Sequence, residues 1–269
     1  MKTQERISRN HRPHVSICIP TFNSERFLRE CLDSIASQTY RNFEVIISDN
    51  ASTDSTVAII QEYIERYGFK FHQNPVNIGP TANFCKLIQM AQGEYIAIYH
   101  ADDVYDAAIV EKSVAMLDQQ ESLGLVGALG NIMNENGILY HKLHLPKHLE
   151  KLHRTVYSFD DALSSLCHRG WFFLTPTIMV RRQVYERLGT FNPQRYKSAS
   201  DFELWLRIAR DSHIAILNDS LINYRMHKDQ HTETAIRKNT EVADIVSVLR
   251  DYKTATANRA LQKLCVRTI

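Results

Sequence analysis

The segment His100-Ala101-Asp102-Asp103 carries the residue types best suited to chemistry, two adjacent carboxylates with a histidine beside them. It follows a short apolar run, residues 95–99, which is long enough for one buried strand. Carboxylate oxygens and an imidazole nitrogen are donors to which a divalent cation binds. The same residues suit a solvated turn that begins a helix, because aspartate is favoured in both places. Taken alone, the segment leaves a metal site and an acidic turn open.

The elements before this turn alternate between strand-like and helical patterns. Apolar runs rich in β-branched and aromatic residues predict strands at 15–19, 43–47, 69–72 and 95–99. Apolar residues at helical spacing predict helices between them, the first capped by Asn23 or Ser24. Such alternation indicates right-handed βαβ units and a mainly parallel sheet, hence an α/β fold.

Polar segments rich in Asp and Asn follow these predicted strands, at residues 20–23, 48–54, 74–79 and 100–103. Because ligands bind beyond the carboxyl ends of strands in such sheets, we expect the four segments to line one edge and form one site. The chain has neither a G-x-x-x-x-G-K-[ST] nor a G-x-G-x-x-G motif, which disfavours a P-loop or a dinucleotide-binding loop. A metal held by Asp102 or Asp103 is then the natural means of neutralising a bound phosphate.

The composition is that of a globular protein with a sizeable core. Of 269 residues, 44% are hydrophobic and 23% charged. The formal net charge of +2 argues neither for nor against a nucleic-acid partner, and we expect none. The five cysteines are scattered, which predicts buried thiols in a reducing, cytoplasmic compartment and neither a disulfide framework nor a zinc site. Residues 1–14 are polar and no run of about 18 apolar residues occurs, so we expect no signal peptide and no membrane-spanning helix.

The second half of the chain has a less regular pattern. Residues 131–158 are polar and rich in histidines without a metal-binding spacing, and we interpret them as a mobile loop with solvated histidines. The other predicted strands span 123–129, 171–180, 214–217 and 221–224, and the other predicted helices span 107–117, 159–167, 181–188 and 199–207. A long helix is predicted from about Glu233. Its basic residues suit either a membrane surface or a solvated helix packed on its own domain; they are Arg250, Lys253, Arg259, Lys263 and Arg267.

The order of these motifs resembles glycosyltransferase family 2 over residues 14–231. Seven segments carry the resemblance: Ser16–Asn23, Ile47–Asp54, Asn77–Gly79 with Asn83, His100–Asp103, Met179–Phe191, Ser200–Trp205 and Tyr224–His227. The resemblance implies the GT-A fold, with a GT-A domain over residues 1–231 and a helical extension over 232–269 that packs on or beside it.

The resemblance also implies an enzyme, an inverting and metal-dependent glycosyltransferase that uses a nucleotide-diphosphate sugar, specifically a UDP-sugar. Its acceptor would be a saccharide or a lipid-linked glycan, in cell-surface polysaccharide synthesis. Asp201 would be the general base, and Asp102, Asp103 and His227 the ligands of Mn²⁺ or Mg²⁺. Asp49 would recognise the uracil ring. The implied donor-binding residues are Pro20, Thr21, Phe22, Asn23, Asp49, Asn77, Gly79, Asn83, His100, Ala101 and Asp102.

Two residues depart from the family's pattern. His100 stands where the first Asp of the metal motif is expected, and Ser200 replaces the Glu before the base. The acidic residues expected to act remain, but a histidine lowers the local negative charge, which leaves the identity and affinity of the metal open. Asp201 also suits a helix cap, with Glu203 the next candidate base. We interpret Trp171 and Trp205 as residues of the hydrophobic core, in preference to platforms on which a sugar ring stacks.

The chemistry of sugar transfer agrees with this set of residues. A metal can offset the charge of a leaving diphosphate, and a carboxylate can take the proton of the acceptor hydroxyl. A sugar-nucleotide pyrophosphorylase would need a glycine-rich basic loop after the first strand, which residues 20–23 do not provide. A degenerate transferase that binds a nucleotide sugar or a partner without turnover is the remaining alternative. The donor sugar, the linkage and the oligomeric state stay open.

Overall fold

The computed structural model describes residues 13–168, 174–228, 230 and 241–268, which form one ten-stranded sheet with helices on both faces. The strands are β1 Val15–Thr21, β2 Phe43–Asp49, β3 Lys70–Gln73, β4 Tyr95–Ile98, β5 Val104–Tyr105, β6 Leu123–Asn134, β7 Leu139–Lys142, β8 Val156–Tyr157, β9 Met179–Arg181 and β10 His213–Met226. The α-helices are α1 Leu28–Ala36, α2 Thr56–Tyr67, α3 Pro80–Met90, α4 Ile109–Gln119, α5 Lys147–Glu150, α6 Phe159–Cys167, α7 Arg182–Leu188, α8 Pro193–Tyr196, α9 Ser200–Asp211, α10 Glu241–Tyr252 and α11 Arg259–Thr268.

The long ladders of the sheet are parallel and the short ones antiparallel, in the order β3-β2-β1-β4-β9-β6-β10-β5. β1 pairs in parallel with β2 and β4, and β2 pairs in parallel with β3. The carboxyl ends of the first four strands therefore meet at one edge. β9 runs antiparallel between β4 and β6, and β10 runs parallel to β6. This arrangement confirms the predicted α/β fold.

Both faces of the sheet are buried because successive side chains of a strand point to opposite sides. Along β1, Ile17 and Ile19 pack in a cluster with residues of α1, α2 and α4. Cys18, between them, packs in the other cluster with residues of α3, α6 and α9. Burial of apolar surface on both faces is the main stabilising contribution, and it positions the strand ends that carry the polar loops.

The predicted cap of the first helix is wrong. α1 begins at Leu28, several residues after Asn23 and Ser24. Asn23 has a φ of 48°, in the left-handed region that asparagine tolerates better than most residues. Its backbone N–H donates to Ser52 Oγ at 2.8 Å. Asn23 therefore belongs to the contact between the loops after β1 and β2, and not to the helix.

The prediction of a mobile loop over residues 131–158 is also wrong. β6 continues to Asn134, and after a tight turn β7 returns antiparallel to it. α5 and β8 follow, and β8 pairs with β10. The sequence hides β7 because its four side chains are all exposed, so it lacks the alternation of buried and exposed residues. His141, His144 and His153 are exposed, as predicted. His148 is half-buried, with its Nε2 3.1 Å from Ser165 Oγ; burial, and then the charge of His168, lower its pKa.

Two further strand predictions differ from the structure. β10 is one strand and not a pair, because its polar residues 218–220 are accommodated by register shifts against β6 that follow Leu217 and Ser220. In the predicted strand 171–180, Thr175–Thr177 form a 3₁₀ turn before the short β9. Residues 171–173 lie outside the described part of the chain.

The C-terminal segment packs on the main core. The prediction of one long helix is wrong, because α10 and α11 are separated by residues 253–258; residues 231–240, where that helix was predicted to begin, lie outside the described residues. Leu249 and Leu261 share a buried cluster with α6 and α9, and Cys265 Sγ lies 2.9 Å from Cys167 Sγ. The domain boundary at 231 stays a prediction. Within the described ranges, none of the helices is both long and apolar enough to cross a bilayer.

Candidate functional site

Hydrogen bonds join the loops that follow β1, β2 and β3; these loops (residues 20–23, 48–54 and 74–83) are called the loop network below. Asn23 Oδ1 accepts from the backbone N–H of Thr53 at 2.9 Å. Asn50 donates its Nδ2 to Asn77 Oδ1 at 2.8 Å and accepts from the Ile78 N–H at 3.0 Å. The structure thus brings three of the predicted polar segments together. Among the other predicted donor-binding residues, Pro20 and Thr21 end β1 and Phe22 is exposed.

Asp49 lies fully buried at the end of β2, with its carboxylate bound by donors of the loop network. Thr21 Oγ1 donates at 3.1 Å, the Ser52 N–H at 2.9 Å and the Ser52 hydroxyl at 2.5 Å. These bonds stabilise the turn that follows β2. Recognition of uracil by Asp49 stays a prediction.

Asn83 anchors α3 to the loop network. Its Oδ1 accepts from Ser48 Oγ at 2.6 Å and from Asn74 Nδ2 at 3.0 Å, and its Nδ2 donates to the Ser48 carbonyl at 2.8 Å. Asn77, by contrast, is exposed and accepts from the Gly79 N–H at 2.8 Å. Gly79 has a φ of 84°, which a side chain would strain although the space around it is open. The predicted residues Asn77, Gly79 and Asn83 therefore set the shape of one loop.

The acid turn, residues 100–103, lies between the end of β4 and the end of β10. Asp102 Oδ2 accepts from His227 Nε2 at 2.9 Å and from Gln230 Nε2 at 3.3 Å. Burial raises the pKa of the Asp102 carboxyl, but its bonds to His227 and Gln230 and the charge of His100 outweigh this effect and hold the pKa below its usual value. Asp102 is therefore ionised, and its bond to His227 links two of the predicted metal ligands directly.

Asp103 is fully buried, and its two carboxylate oxygens differ in their hydrogen bonding. Oδ1 accepts from the backbone N–H of Arg225 at 2.9 Å. Oδ2 has no hydrogen-bond partner among the described residues. Burial, and then the charge of Asp102, raise the pKa of Asp103 well above its usual value. A buried oxygen without a partner is costly, and its retention points to a ligand that completes the site.

Two histidines add ring nitrogens that are also buried and, within the described residues, lack partners: His100 Nε2 and His227 Nδ1. Burial lowers the pKa of His100 against the opposing charge of Asp102, which keeps the ring neutral and able to bind a cation. One ligand atom from each of His100, Asp102 and Asp103 lies within 4.8 Å of the others. This donor set, carboxylate oxygens with imidazole nitrogens, fits a divalent cation such as Mn²⁺.

Arg225 holds the acid turn in place, a role that the sequence reasoning missed. Its side chain is 2% exposed, its Nε donates to the Asp102 carbonyl at 2.9 Å, and its Nη2 forms an ion pair with Glu30. The guanidinium lies 4.6 Å from the centre of the Phe27 ring. The available signal in the sequence is an arginine directly after the predicted apolar strand 221–224; the observed β10 extends to Met226 and buries this arginine, and buried charged residues are rare unless paired. Gln230, also missed, is buried against Asp102.

Asp201 lies in the first turn of α9, on the face of the sheet that also carries α3. Thr175 Oγ1 donates to its Oδ2 at 3.1 Å. The N-cap of α9 is Ala199, so Asp201 does not occupy the cap position that the sequence left open. Glu203 is a poor alternative base because it is buried in an ion pair with Arg207 at 2.9 Å and accepts from the Tyr252 hydroxyl at 2.7 Å.

The predicted site residues fall into two bonded groups and one separate residue. The loop network forms one group and the acid turn with His227 the other, both at the edge where β1 lies between β2 and β4. Asp201 is held by Thr175, which begins the 3₁₀ turn before β9. Trp205 is buried with its ring 5.9 Å from that of Phe191, which confirms a core role. Trp171 lies outside the described residues.

Comparison with known sequences gives a family match over most of the chain. The profile of Glycosyl transferase family 2 matches residues 16–189. A Bacillus subtilis (strain 168) protein, provisionally named the glycosyltransferase EpsE, is 32% identical over 201 residues, which are 74% of this chain and 67% of that protein.

Two solved structures share the fold. Staphylococcus aureus TarS 1–349 in complex with UDP-GlcNAc has a TM-score of 0.71 at 20% identity, covering 94% of this chain and 71% of that one. The mannosyltransferase PcManGT from Pyrobaculum calidifontis, in complex with GDP-Man and Mn²⁺, has a TM-score of 0.70 at 20% identity, covering 96% and 69%. The shared fold is GT-A, as the motif order predicts.

Proposed function

Because this chain belongs to glycosyltransferase family 2, we propose that it is an inverting, metal-dependent enzyme that transfers the sugar of a UDP-sugar to an acceptor hydroxyl. The acid turn is the observation that carries this proposal. It holds buried polar atoms that lack partners within the described residues, at the sheet edge where such folds bind ligands. The nucleotide sugars and the Mn²⁺ bound by TarS and PcManGT support the same assignment.

Asp102, Asp103 and His227 would hold Mn²⁺ or Mg²⁺, with His100 beside them. When bound, the ion would offset the negative charge of the leaving diphosphate. His100 supplies a nitrogen where the family has a carboxylate, so the site has less negative charge and a softer donor. This difference favours Mn²⁺ over Mg²⁺.

The loop network would bind the nucleoside of the donor. Eight of the predicted donor contacts lie there: Pro20, Thr21, Phe22, Asn23, Asp49, Asn77, Gly79 and Asn83. The other three, His100, Ala101 and Asp102, lie in the acid turn. A carboxylate at Asp49 would accept the N3–H of uracil, whereas cytosine presents an acceptor at that position and would be repelled. This contact is the basis for choosing a UDP-sugar over a CDP-sugar.

Asp201 would act as the general base. As the acceptor oxygen bonds to the anomeric carbon and the bond to the diphosphate breaks, the carboxylate takes the hydroxyl proton. Thr175 keeps one carboxylate oxygen in a fixed direction. A single base on the side of the sugar opposite the leaving group gives direct displacement, and therefore inversion. The acceptor would be a saccharide or a lipid-linked glycan of a cell-surface polysaccharide.

The experiment measures the binding and consumption of UDP-, GDP- and CDP-sugars with Mn²⁺, with Mg²⁺ and with a chelator. We expect UDP to bind in Mn²⁺, and the D102A/D103A variant to lose at least about tenfold in affinity. The E65A/E121A variant is the matched control, because it removes two exposed carboxylates far from the acid turn in the sequence.

Equal binding of UDP in Mn²⁺ by the parent and D102A/D103A would refute the metal site. Tight binding of a donor that is never consumed, with any saccharide or lipid-linked acceptor, would instead favour a degenerate transferase that binds without turnover.

A further inference from the structure

Three consecutive large apolar side chains are open to solvent at the start of β7. Ile138, Leu139 and Tyr140 are 62%, 51% and 60% exposed. β7 pairs with β6 alone among the described strands, so none of them covers its outer edge. Exposed apolar side chains beside a strand edge that is not paired indicate an interaction surface, because such an edge needs a cover.

Positively charged residues follow this strand along the chain. Lys142 ends β7, Lys147 begins α5 and Lys151 follows it; all three are exposed, and none forms an ion pair with a described residue. Residues 138–154 contain four Lys and Arg residues and one Glu, a formal net charge of +3 with the histidines neutral. Of the four, Arg154 is paired with Asp161. The segment therefore combines exposed apolar surface with uncompensated positive charge.

A cavity of about 340 Å³ lies between this segment and the middle of β10. Lys142, His144, His153 and Arg154 line it, together with the single carboxylate of Glu150. Small-molecule sites begin at about 300 Å³, so the cavity has room for one phosphate-bearing head group.

We propose that the segment 138–154 is a docking surface for a bilayer of anionic phospholipid. Ile138, Leu139 and Tyr140 enter the head-group region, and the lysines contact lipid phosphates. Charge complementarity selects this occupant over a second copy of the chain, since pairing β7 with its own copy would bring two segments of charge +3 together. The basic helix α11 fits less well, because Leu261 and Cys265 on its apolar side are buried in the core.

The surface lies beside the candidate site. Asn134, which begins the turn into β7, pairs with Met226, the residue before His227. Glu135, in the same turn, forms an ion pair with Arg26 at 3.0 Å. A docked β7 would hold the site close to the bilayer, where a lipid-linked acceptor is presented. This consequence rests on the proposed function, whereas the lipid binding itself does not.

The test is co-sedimentation of the full chain with vesicles of phosphatidylcholine, with and without phosphatidylglycerol, in the absence of a sugar donor. The parent should bind only the anionic vesicles, and more weakly as salt rises. I138S/L139S/Y140S should lose about tenfold or more. K142Q/K147Q/K151Q should lose about 100-fold, since each lysine near such a surface contributes about fivefold. V266S is the matched control, because Val266 is an equally exposed apolar residue on α11.

A second readout does not depend on a loss of binding. Y140W and V266W each add one indole at an exposed position, measured against the fluorescence of the parent. Anionic vesicles should shift the emission of Y140W to the blue and leave V266W unchanged.

Several results would overturn the proposal. Loss of binding in V266S but not in I138S/L139S/Y140S would assign the membrane surface to α11. Binding to vesicles of phosphatidylcholine alone that is as strong as binding to the anionic vesicles would show that the lysines do not select an anionic surface. The strand would instead pair with a second copy of the chain if three results came together. The parent would not bind vesicles, its elution volume in size-exclusion chromatography would depend on protein concentration, and I138S/L139S/Y140S would elute as a monomer.

Discussion

In the loop network, Asp49, Asn50 and Asn83 find hydrogen-bond partners within the loops themselves. The acid turn at the same sheet edge differs, because Asp103 Oδ2 and His100 Nε2 are buried with no partner among the described residues. Both regions look alike in the sequence, as polar segments that follow apolar strands. The structure distinguishes the two regions by whether their buried polar atoms have hydrogen-bond partners among the described residues.

This difference predicts a structural role for the loop network and a ligand-binding role for the acid turn. A satisfied buried polar group stabilises one backbone conformation, so the loop network is a preformed frame. A buried polar group without a partner destabilises the protein in the absence of ligand, and a ligand that supplies the partner offsets that cost. Changes in the loop network should therefore act mainly on stability, and changes beside the acid turn mainly on ligand binding and turnover.

The largest expected effect lies at Asp201, which tests whether the reacting side of the site extends beyond the acid turn. Asp201→Asn keeps the size of the side chain and removes its proton affinity. Sugar transfer should fall by roughly 10²–10⁴, the usual contribution of general acid–base catalysis, with donor affinity unchanged. Initial rates with a verified acceptor, alongside UDP binding, measure both.

Glu203→Gln is the matched control for Asp201. This change weakens the ion pair with Arg207 and should lower the melting temperature while leaving the rate of the folded enzyme close to that of the parent. Near-parental turnover in Asp201→Asn together with a folded but inactive Glu203→Gln would move the base to Glu203.

A smaller effect on ligand binding is expected at Arg225, which joins the acid turn to the rest of the fold. Arg225→Met keeps an apolar stem over Phe27 and removes the donor to the Asp102 carbonyl. The affinity for UDP in Mn²⁺ should fall about 10- to 100-fold, as for other residues that orient metal ligands. Titration calorimetry with and without Mn²⁺ measures it. Glu30→Gln should lower the affinity for UDP less, because Glu30 is half exposed. Equal losses of affinity in the two variants would contradict a positioning role of Arg225 centred on Asp102.

The frame role of the loop network predicts a stability effect at Asn83. Asn83→Ala leaves the Ser48 and Asn74 groups without their partner and should lower the free energy of unfolding by about 1–3 kcal/mol. Asn77→Ala, in the same loop but exposed, should lower it less, because water can replace its bonds to Asn50 and Gly79. Urea denaturation compares them. Equal effects would show that burial does not decide the cost.

The smallest effect concerns Asp49, the residue at which the two regions could overlap. If its carboxylate also meets the nucleobase, the parent should prefer UDP to CDP by about tenfold, one charge-assisted hydrogen bond. Asp49→Asn should reduce that preference, because an amide can satisfy either base. Competition between UDP and CDP on both proteins measures it. Equal affinities on the parent would confine Asp49 to its turn.

The regular part of the fold was predictable because each unit is short and local. The first four strands and the helices between them follow from apolar runs and helical spacing, which need no knowledge of distant residues. β7 and the continuous β10 were not predictable in this way. The exposed side chains of β7 conceal its pairing with β6, and the polar residues 218–220 resemble a turn although they form a bulge held by β6.

The same distinction holds within the candidate site. The carboxylates Asp102, Asp103 and Asp201 were predictable as candidates, since residue type and position after a strand or at a helix start depend on nearby sequence. Their partners were not. Arg225 and Gln230 are more than a hundred positions beyond Asp102, and the contacts with the acid turn arise only when β10 enters the sheet.

The sequence by itself determined the α/β alternation, the edge of the sheet that carries the polar loops, and the identity of the acidic residues. The tertiary structure decided which of those residues are satisfied and which are left with unpaired atoms. It also decided that Asp201 is held by Thr175 rather than capping its helix. The physical reason is that periodicity reports whether a side chain is buried, whereas hydrogen bonding depends on atoms that distant segments bring within about 3 Å.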